Sequence, residues 1–208
     1  MTLDPFYLIV DSTDWVARLV PLGVKLVQLR IKDRPETELR AEIRTALAIC
    51  AAHRCQLIVN DYWQLAIEEG CDFVHLGQED LAVADLRAIR AAGLKLGVST
   101  HDEVELQAAL AAEPQYVALG PVYATILKQM KWAPQGLGRL RQWKSHVGHL
   151  PLVAIGGLNI DRIEGVIAHG ADSAAVVTDI TLNKDPELRT RQWLAATDPW
   201  RTGKMQSA

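Results

Sequence analysis

GVKLVQLR at residues 23–30, GCDFVHLG at 70–77 and GADSAAVV at 170–177 superimpose from their first glycine. In each, a glycine is followed by a short apolar run. A glycine there ends a helix in the left-handed conformation and releases the chain into a strand. PQYVALG (114–120) carries the same pattern with proline in the stopping role, because proline cannot continue a helix. A unit of helix, stop and strand that recurs along a chain predicts parallel strands joined by helices.

Working outward, the apolar runs are FYLIV (6–10), KLVQLR (25–30), QLIVN (56–60), DFVHL (72–76), LKLGVS (94–99), QYVAL (115–119), PLVAIG (151–156) and SAAVV (173–177). They are apolar on both faces, as strands of a covered parallel sheet are. Between them lie helical stretches such as ETELRAEIRTALAICAAH (36–53), DYWQLAIEE (61–69), DLRAIRAA (85–92), DEVELQAALAA (102–112) and IDRIEGVIAH (160–169). Leu39, Ile43, Ala46, Leu47 and Cys50 recur at helical spacing and mark a buried face. Eight such units in 208 residues fit a single α/β domain, a compact (β/α)8 TIM barrel. An open doubly wound sheet would carry a glycine-rich fingerprint after its first strand; here that strand runs into VDSTDW (10–15). No stretch reads as a domain linker, so one domain is expected over 1–208, with fraying from about residue 199 in the polar end DPWRTGKMQSA.

Apolar residues make up 49% of the chain and the formal net charge is −3. That charge argues against a general nucleic-acid binder, and no run approaches the length of a membrane span. MTLDPFYLIVD lacks the pattern of an export signal. Cys50, Cys55 and Cys71 are odd in number and lack CxxC spacing, so reduced, buried thiols and a cytoplasmic location are expected. The oligomeric state is open at this level.

In such a barrel the chemistry lies at the C-terminal strand ends. Strand two ends in Gln28 and Arg30 with Lys32 beyond, strand three in Asn60-Asp61, strand four in His75 and then Gln78-Glu79-Asp80, strand five in Ser99-Thr100-His101. Arg30 and Lys32 alternate on an extended segment and point the same way. Asp61 and Asp80 follow neighbouring strands, and two facing carboxylates call for a cation between them. Mg²⁺ suits one or two carboxylates plus phosphate oxygens, with Arg30 and Lys32 neutralising the remaining charge. The competing reading makes each aspartate a helix cap. His75 reads equally as a packed core group or a catalyst. Thr100-His101-Asp102-Glu103 fits a capping box. Gly156-Gly157 after strand seven, and Thr178 after strand eight, suit a monophosphate resting on backbone N–H groups. Two anion sites on one mouth, one metal-dependent, suggest the joining of two phosphorylated small molecules with diphosphate as leaving group.

The stretches QLRIKD (28–33), NDYWQLAI (60–67), VHLGQEDL (74–81), GVSTHD (97–102), ALGPVYAT (118–125), APQGL (133–137) and VAIGGL (153–158) together resemble the thiamine-phosphate synthase family. The resemblance implies condensation of hydroxymethylpyrimidine diphosphate with hydroxyethylthiazole phosphate, giving thiamine phosphate and diphosphate, with Mg²⁺ as cofactor. It implies that Asp61 and Asp80 hold the metal and that Arg30, Lys32, Asn60 and Lys128 hold diphosphate. Gln28 and Ser99 would face the pyrimidine and diphosphate. Gly157, Val177 and Thr178 would hold the thiazole phosphate with help from Thr125. Arg30, Lys32, Ser99 and Lys128 would act on the reacting groups. A related thiazole tautomerase, or a binding protein with a decayed lid loop, are the alternatives.

One departure stands out. The loop reads Ala124-Thr125-Ile126-Leu127-Lys128, where the family commonly carries Pro-Thr-x-Thr-Lys. A missing hydroxyl on a charged phosphate costs roughly 1.5–3 kcal/mol. Leu127→Thr is therefore expected to raise kcat/KM by about 10–100-fold; an unchanged or lower value in steady-state assays would show that the loop grips its ligand differently.

Overall fold

The computed structural model describes residues 2–126 and 132–201. Eight parallel strands close into a barrel in chain order, β1 against β8. They are β1 (Phe6–Val10), β2 (Leu26–Leu29), β3 (Gln56–Asn60), β4 (Phe73–Leu76), β5 (Lys95–Thr100), β6 (Tyr116–Leu119), β7 (Leu152–Ile155) and β8 (Ser173–Val176). Around them run α1 (Thr13–Leu19), α2 (Glu36–His53), α3 (Trp63–Glu68), α4 (Gln78–Val83), α5 (Leu86–Ala91), α6 (Glu103–Ala111), α7 (Gly136–Val147), α8 (Ile163–Ala168), α9 (Thr178–Thr181) and α10 (Pro186–Arg201). Gly23, Gly70 and Gly170 all have positive φ, at 115°, 72° and 97°, as the aligned repeats require.

Strand alternation sorts the side chains into two cores. Leu8, Val10, Val27, Leu29, Leu57, Val59, Val74 and Leu76 face outward and pack under the helices. On α2 the buried positions are Leu39, Ile43, Ala46 and Cys50, while Leu47 is partly buried against the same core. The opposite parity faces into the barrel. There Tyr7, Leu26, Ile58, Phe73, Tyr116 and Val153 form an apolar plug. One step further along the strands the same inward parity delivers Gln28, Asn60, His75 and Ser99, of which Gln28, Asn60 and His75 are buried. The plug is a floor, and the polar residues stand on it at the mouth.

The last helix fastens the barrel. Trp193 of α10 stacks on Phe6 of β1 with ring centroids 5.6 Å apart, and its indole N–H donates to Asp179 at 2.7 Å. Arg201 grips Asp4 through two hydrogen bonds of 2.7 and 2.8 Å. Residues 199–201, where the polar end begins, lie in this helix, and Arg201 is held by the ion pair. The three cysteines are unpaired and buried.

Candidate functional site

A cavity of about 590 Å³ opens at the C-terminal end of the strands, within the size range of small-molecule sites. Gln28, Arg30, Lys32, Asn60, Asp61, Asp80, Ser99, Thr125, Gly157, Val177 and Thr178 all line it. Every site residue expected from the sequence and described in the structure thus reaches one space. Leu127 and Lys128 lie outside the described residues.

One wall carries the charges. Lys32 pairs with Asp61, whose side chain is only 10% exposed. Asp61 sits at φ 65°, a conformation that few side chains other than Asn and Asp adopt readily. Its N–H donates to the His75 carbonyl at 2.9 Å, which fixes the turn and aims the carboxylate. The cap of α3 is Tyr62, and α4 is capped at Gly77 with Asp80 in its first turn. Neither aspartate caps a helix through its side chain, so the capping alternative fails for both. Burial holds the Asp80 carboxyl above its ordinary pKa; the Asp61 charge and hydrogen bond add to this, and Lys32 opposes it. A carboxyl whose proton affinity is raised by burial and by a carboxylate beside it marks a place where positive charge is stabilising. Among the described residues no group of three or more His, Cys, Asp or Glu could hold a metal ion, so a cation here would need oxygens from its ligand as well.

The opposite wall is made of backbone. After β7, Gly156 and Gly157 turn at φ 100° and 63°. The segment after β6 zips onto this turn: Val122 N–H donates to Ile155 O at 2.9 Å and Tyr123 N–H to Gly156 O at 3.0 Å. Arg162, which the sequence reading passed over, donates to the Gly157 carbonyl and lies over the Tyr123 ring at 4.3 Å. With both glycine carbonyls committed to protein donors, the turn is relieved of acceptors that would repel an anion. No local motif marks Arg162; its role appears only once the two loops are side by side.

Between the walls, His75 is buried in the cavity floor. Its Nδ1 meets the Tyr116 hydroxyl at 2.7 Å and its Nε2 meets Ser99 Oγ at 2.8 Å. Burial lowers its pKa from 6.5 to about 4, with Arg30 adding to the shift and the Asp61 charge opposing it. A depressed folded-state pKa means that the unfolded chain takes up the proton first as pH falls. Stability is therefore full above pH 6.5 and declines towards pH 4, by about 3 kcal/mol for this group. Urea unfolding between pH 7 and 4.5 is expected to show a shallower acid loss in His75→Gln than in the wild type; parallel slopes would refute it.

The capping box shifts by two residues. Thr100 ends β5 and is buried, accepting from the Trp143 indole at 2.8 Å. Asp102 is the N-cap of α6 and accepts from Glu105 N–H. Glu105 reaches back to the His101 N–H at 2.8 Å and its Nδ1 at 2.6 Å. His101 lines the cavity and stacks on Trp132 at 4.1 Å.

Fold and site define a (β/α)8 barrel with a small-molecule-sized cavity at its mouth, a carboxylate pair on one wall and a glycine turn on the other. The thiamine monophosphate synthase family pattern matches residues 6–180. A thiamine-phosphate synthase of Rhizobium etli is 74% identical over 202 residues, covering 97% of this chain and 99% of its own. That of Escherichia coli K12 is 50% identical over 188 residues, covering 90% and 89%. Among solved structures, thiamine phosphate pyrophosphorylase from Pyrococcus furiosus superimposes with a TM-score of 0.84 at 26% identity, covering 95% and 96%. The chain belongs to the thiamine monophosphate synthase family.

Proposed function

We infer that this protein is the transferase that joins hydroxymethylpyrimidine diphosphate to hydroxyethylthiazole phosphate, releasing diphosphate and forming thiamine phosphate. The observation that carries the reading is that one cavity holds a cationic and acidic wall and a glycine turn facing each other. The tautomerase and binding-protein alternatives lose ground to the 74% identical relative named for the synthase.

The C–O bond to diphosphate breaks first and leaves a pyrimidinylmethyl cation, which the thiazole nitrogen captures. No proton has to move in either step, which suits a site without a nucleophilic Ser or Cys. Arg30 and Lys32 stabilise the charge that grows on the departing diphosphate. Asn60, Ser99 and Lys128 hold its oxygens, Gln28 faces the pyrimidine, and Gly157, Val177, Thr178 and Thr125 hold the thiazole phosphate. Asp61 and Asp80 would bind Mg²⁺; their mutual repulsion, their place in the cavity and the hard oxygen donor set fit that ion. Bound Mg²⁺ supplies further positive charge to the diphosphate oxygens. The cytoplasm is the compartment this reading assigns, in keeping with three unpaired cysteines.

The test is direct. Purified protein is incubated with both substrates, with and without Mg²⁺, and thiamine phosphate and diphosphate are quantified. Equal yields of both products are expected only with the metal. No product at saturating substrates would overturn the reading, and metal-independent turnover would remove the role given to Asp61 and Asp80.

A further inference from the structure

Five side chains from five strand regions form an unbroken line of hydrogen bonds under the cavity. Gln28 Nε2 donates to the Tyr7 hydroxyl at 2.8 Å. Tyr7 and Tyr116 share a hydrogen bond of 2.9 Å, Tyr116 meets His75 Nδ1 at 2.7 Å, and His75 Nε2 meets Ser99 Oγ at 2.8 Å. Both ends, Gln28 and Ser99, line the cavity. In the middle, Tyr7 and Tyr116 are essentially without exposure, and Tyr7 and His75 border the cavity floor.

Gly97 is what makes the line continuous. It pairs with His75 on one side and Tyr116 on the other. A Cβ there would lie 2.2 Å from Tyr116 Cζ and 2.6 Å from its hydroxyl. Without that Cβ, the His75 and Tyr116 rings stack at 5.6 Å across the gap.

Each hydroxyl in such a line has one proton to give, so one end sets the direction for all. Because Gln28 donates to Tyr7, the Tyr7 proton goes to Tyr116 and the Tyr116 proton to His75 Nδ1. Neutral His75 must then carry its proton on Nε2 and give it to Ser99 Oγ. That leaves the Ser99 proton for the cavity, beside the cationic wall where an anion would sit. At the other end Gln28 keeps its Oε1 as an acceptor. Reversing the line would reverse both ends: Ser99 would offer only lone pairs, and Gln28 only N–H groups.

We propose that Tyr7, Tyr116 and His75 are positioning residues that lock Ser99 as a hydrogen-bond donor and Gln28 as an acceptor towards the ligand. This rests on the transferase reading for its ligand and deepens it. A locked acceptor at Gln28 selects a ring that offers an amino group and rejects one with oxygen in its place, because two facing acceptors leave each other unpaired.

Two measurements test this. The first is ¹⁵N NMR of His75 in the substrate-free protein, with the signal assigned by its loss in His75→Gln. The proton is expected on Nε2 in the wild type, and a mixture of tautomers in Tyr116→Phe, which keeps the ring and removes the link. The second is steady-state kinetics with the pyrimidine diphosphate and its analogue bearing oxygen in place of the ring amino group. Tyr116→Phe is expected to narrow the preference for the amino substrate by about 10-fold, with KM for the thiazole phosphate unchanged. A wild-type proton on Nδ1, or a Tyr116→Phe variant with the wild-type tautomer and preference, would overturn the proposal. A wild type that makes no thiamine phosphate would sink the transferase reading, while the tautomer measurement would still decide the relay.

Discussion

Asp61→Asn is expected to lower kcat/KM for the pyrimidine diphosphate by about 10²–10³-fold, the range seen when one group stabilising transition-state charge is removed. The substitution is informative because it changes little else. Asp61 sits at φ 65°, and asparagine is the other side chain that tolerates that conformation well. The backbone bond from its N–H to the His75 carbonyl survives, so fold and turn are kept while the charge goes. Lys32 loses its partner and Asp80 loses the neighbour that raises its proton affinity. Half-saturation by Mg²⁺ is therefore expected to move to higher concentration along with the loss of rate. Unchanged kinetics and an unchanged Mg²⁺ titration would mean that this carboxylate pair carries neither metal nor leaving group.

Gly157→Ala is expected to act on the opposite wall. The new Cβ would lie 2.3 Å from the Ala124 carbonyl oxygen and 2.9 Å from Tyr123 Cβ. The nearest of these atoms is backbone, so the two loops must part. The residue would also sit at φ 63°, which costs a non-glycine side chain about 1 kcal/mol. With the overpacking the total reaches roughly 2–4 kcal/mol, or a fall in Tm on the order of 4–16 °C for a chain of this size. The functional signature is selective: KM for the thiazole phosphate is expected to rise about 10–100-fold while KM for the pyrimidine diphosphate stays near its wild-type value. Equal losses for both substrates would show that the turn is a structural joint and not a phosphate seat.

These expectations draw on features of unequal legibility. The strands were readable because buried parallel strands are continuous apolar runs, and glycine or proline announces all of them but β3, before which Arg54 takes the left-handed conformation. α2 was readable because its buried positions, Leu39 to Cys50, repeat at helical spacing over about three turns. Site residues next to strand ends, such as Arg30, Asn60 and Asp61, followed from the barrel alone. Thr100 misled because a Thr followed by Glu103 imitates a cap, whereas the packing of Trp143 claims its hydroxyl and leaves the cap to Asp102. The Tyr7–Tyr116 contact joins residues 109 positions apart. It needs both the inward parity and the register of intervening strands, and no local pattern encodes either. Arg162 was invisible for a similar reason, since its partners Gly157 and Tyr123 belong to different loops.

The fastening of β1 by the last helix has a consequence for synthesis. While the chain is being made, the free edge of β1 has no β8 to pair with, and Phe6 has no Trp193 to cover it. Asp4 likewise waits for Arg201, almost the whole chain later. On a growing chain the barrel therefore stays open, and the first strand remains a sticky edge until β8 pairs with it and α10 covers Phe6. Removing the Arg201 side chain would undo its grip on Asp4 and loosen the cover that α10 places over β1, which makes this helix a determinant of solubility during expression as much as of the finished fold.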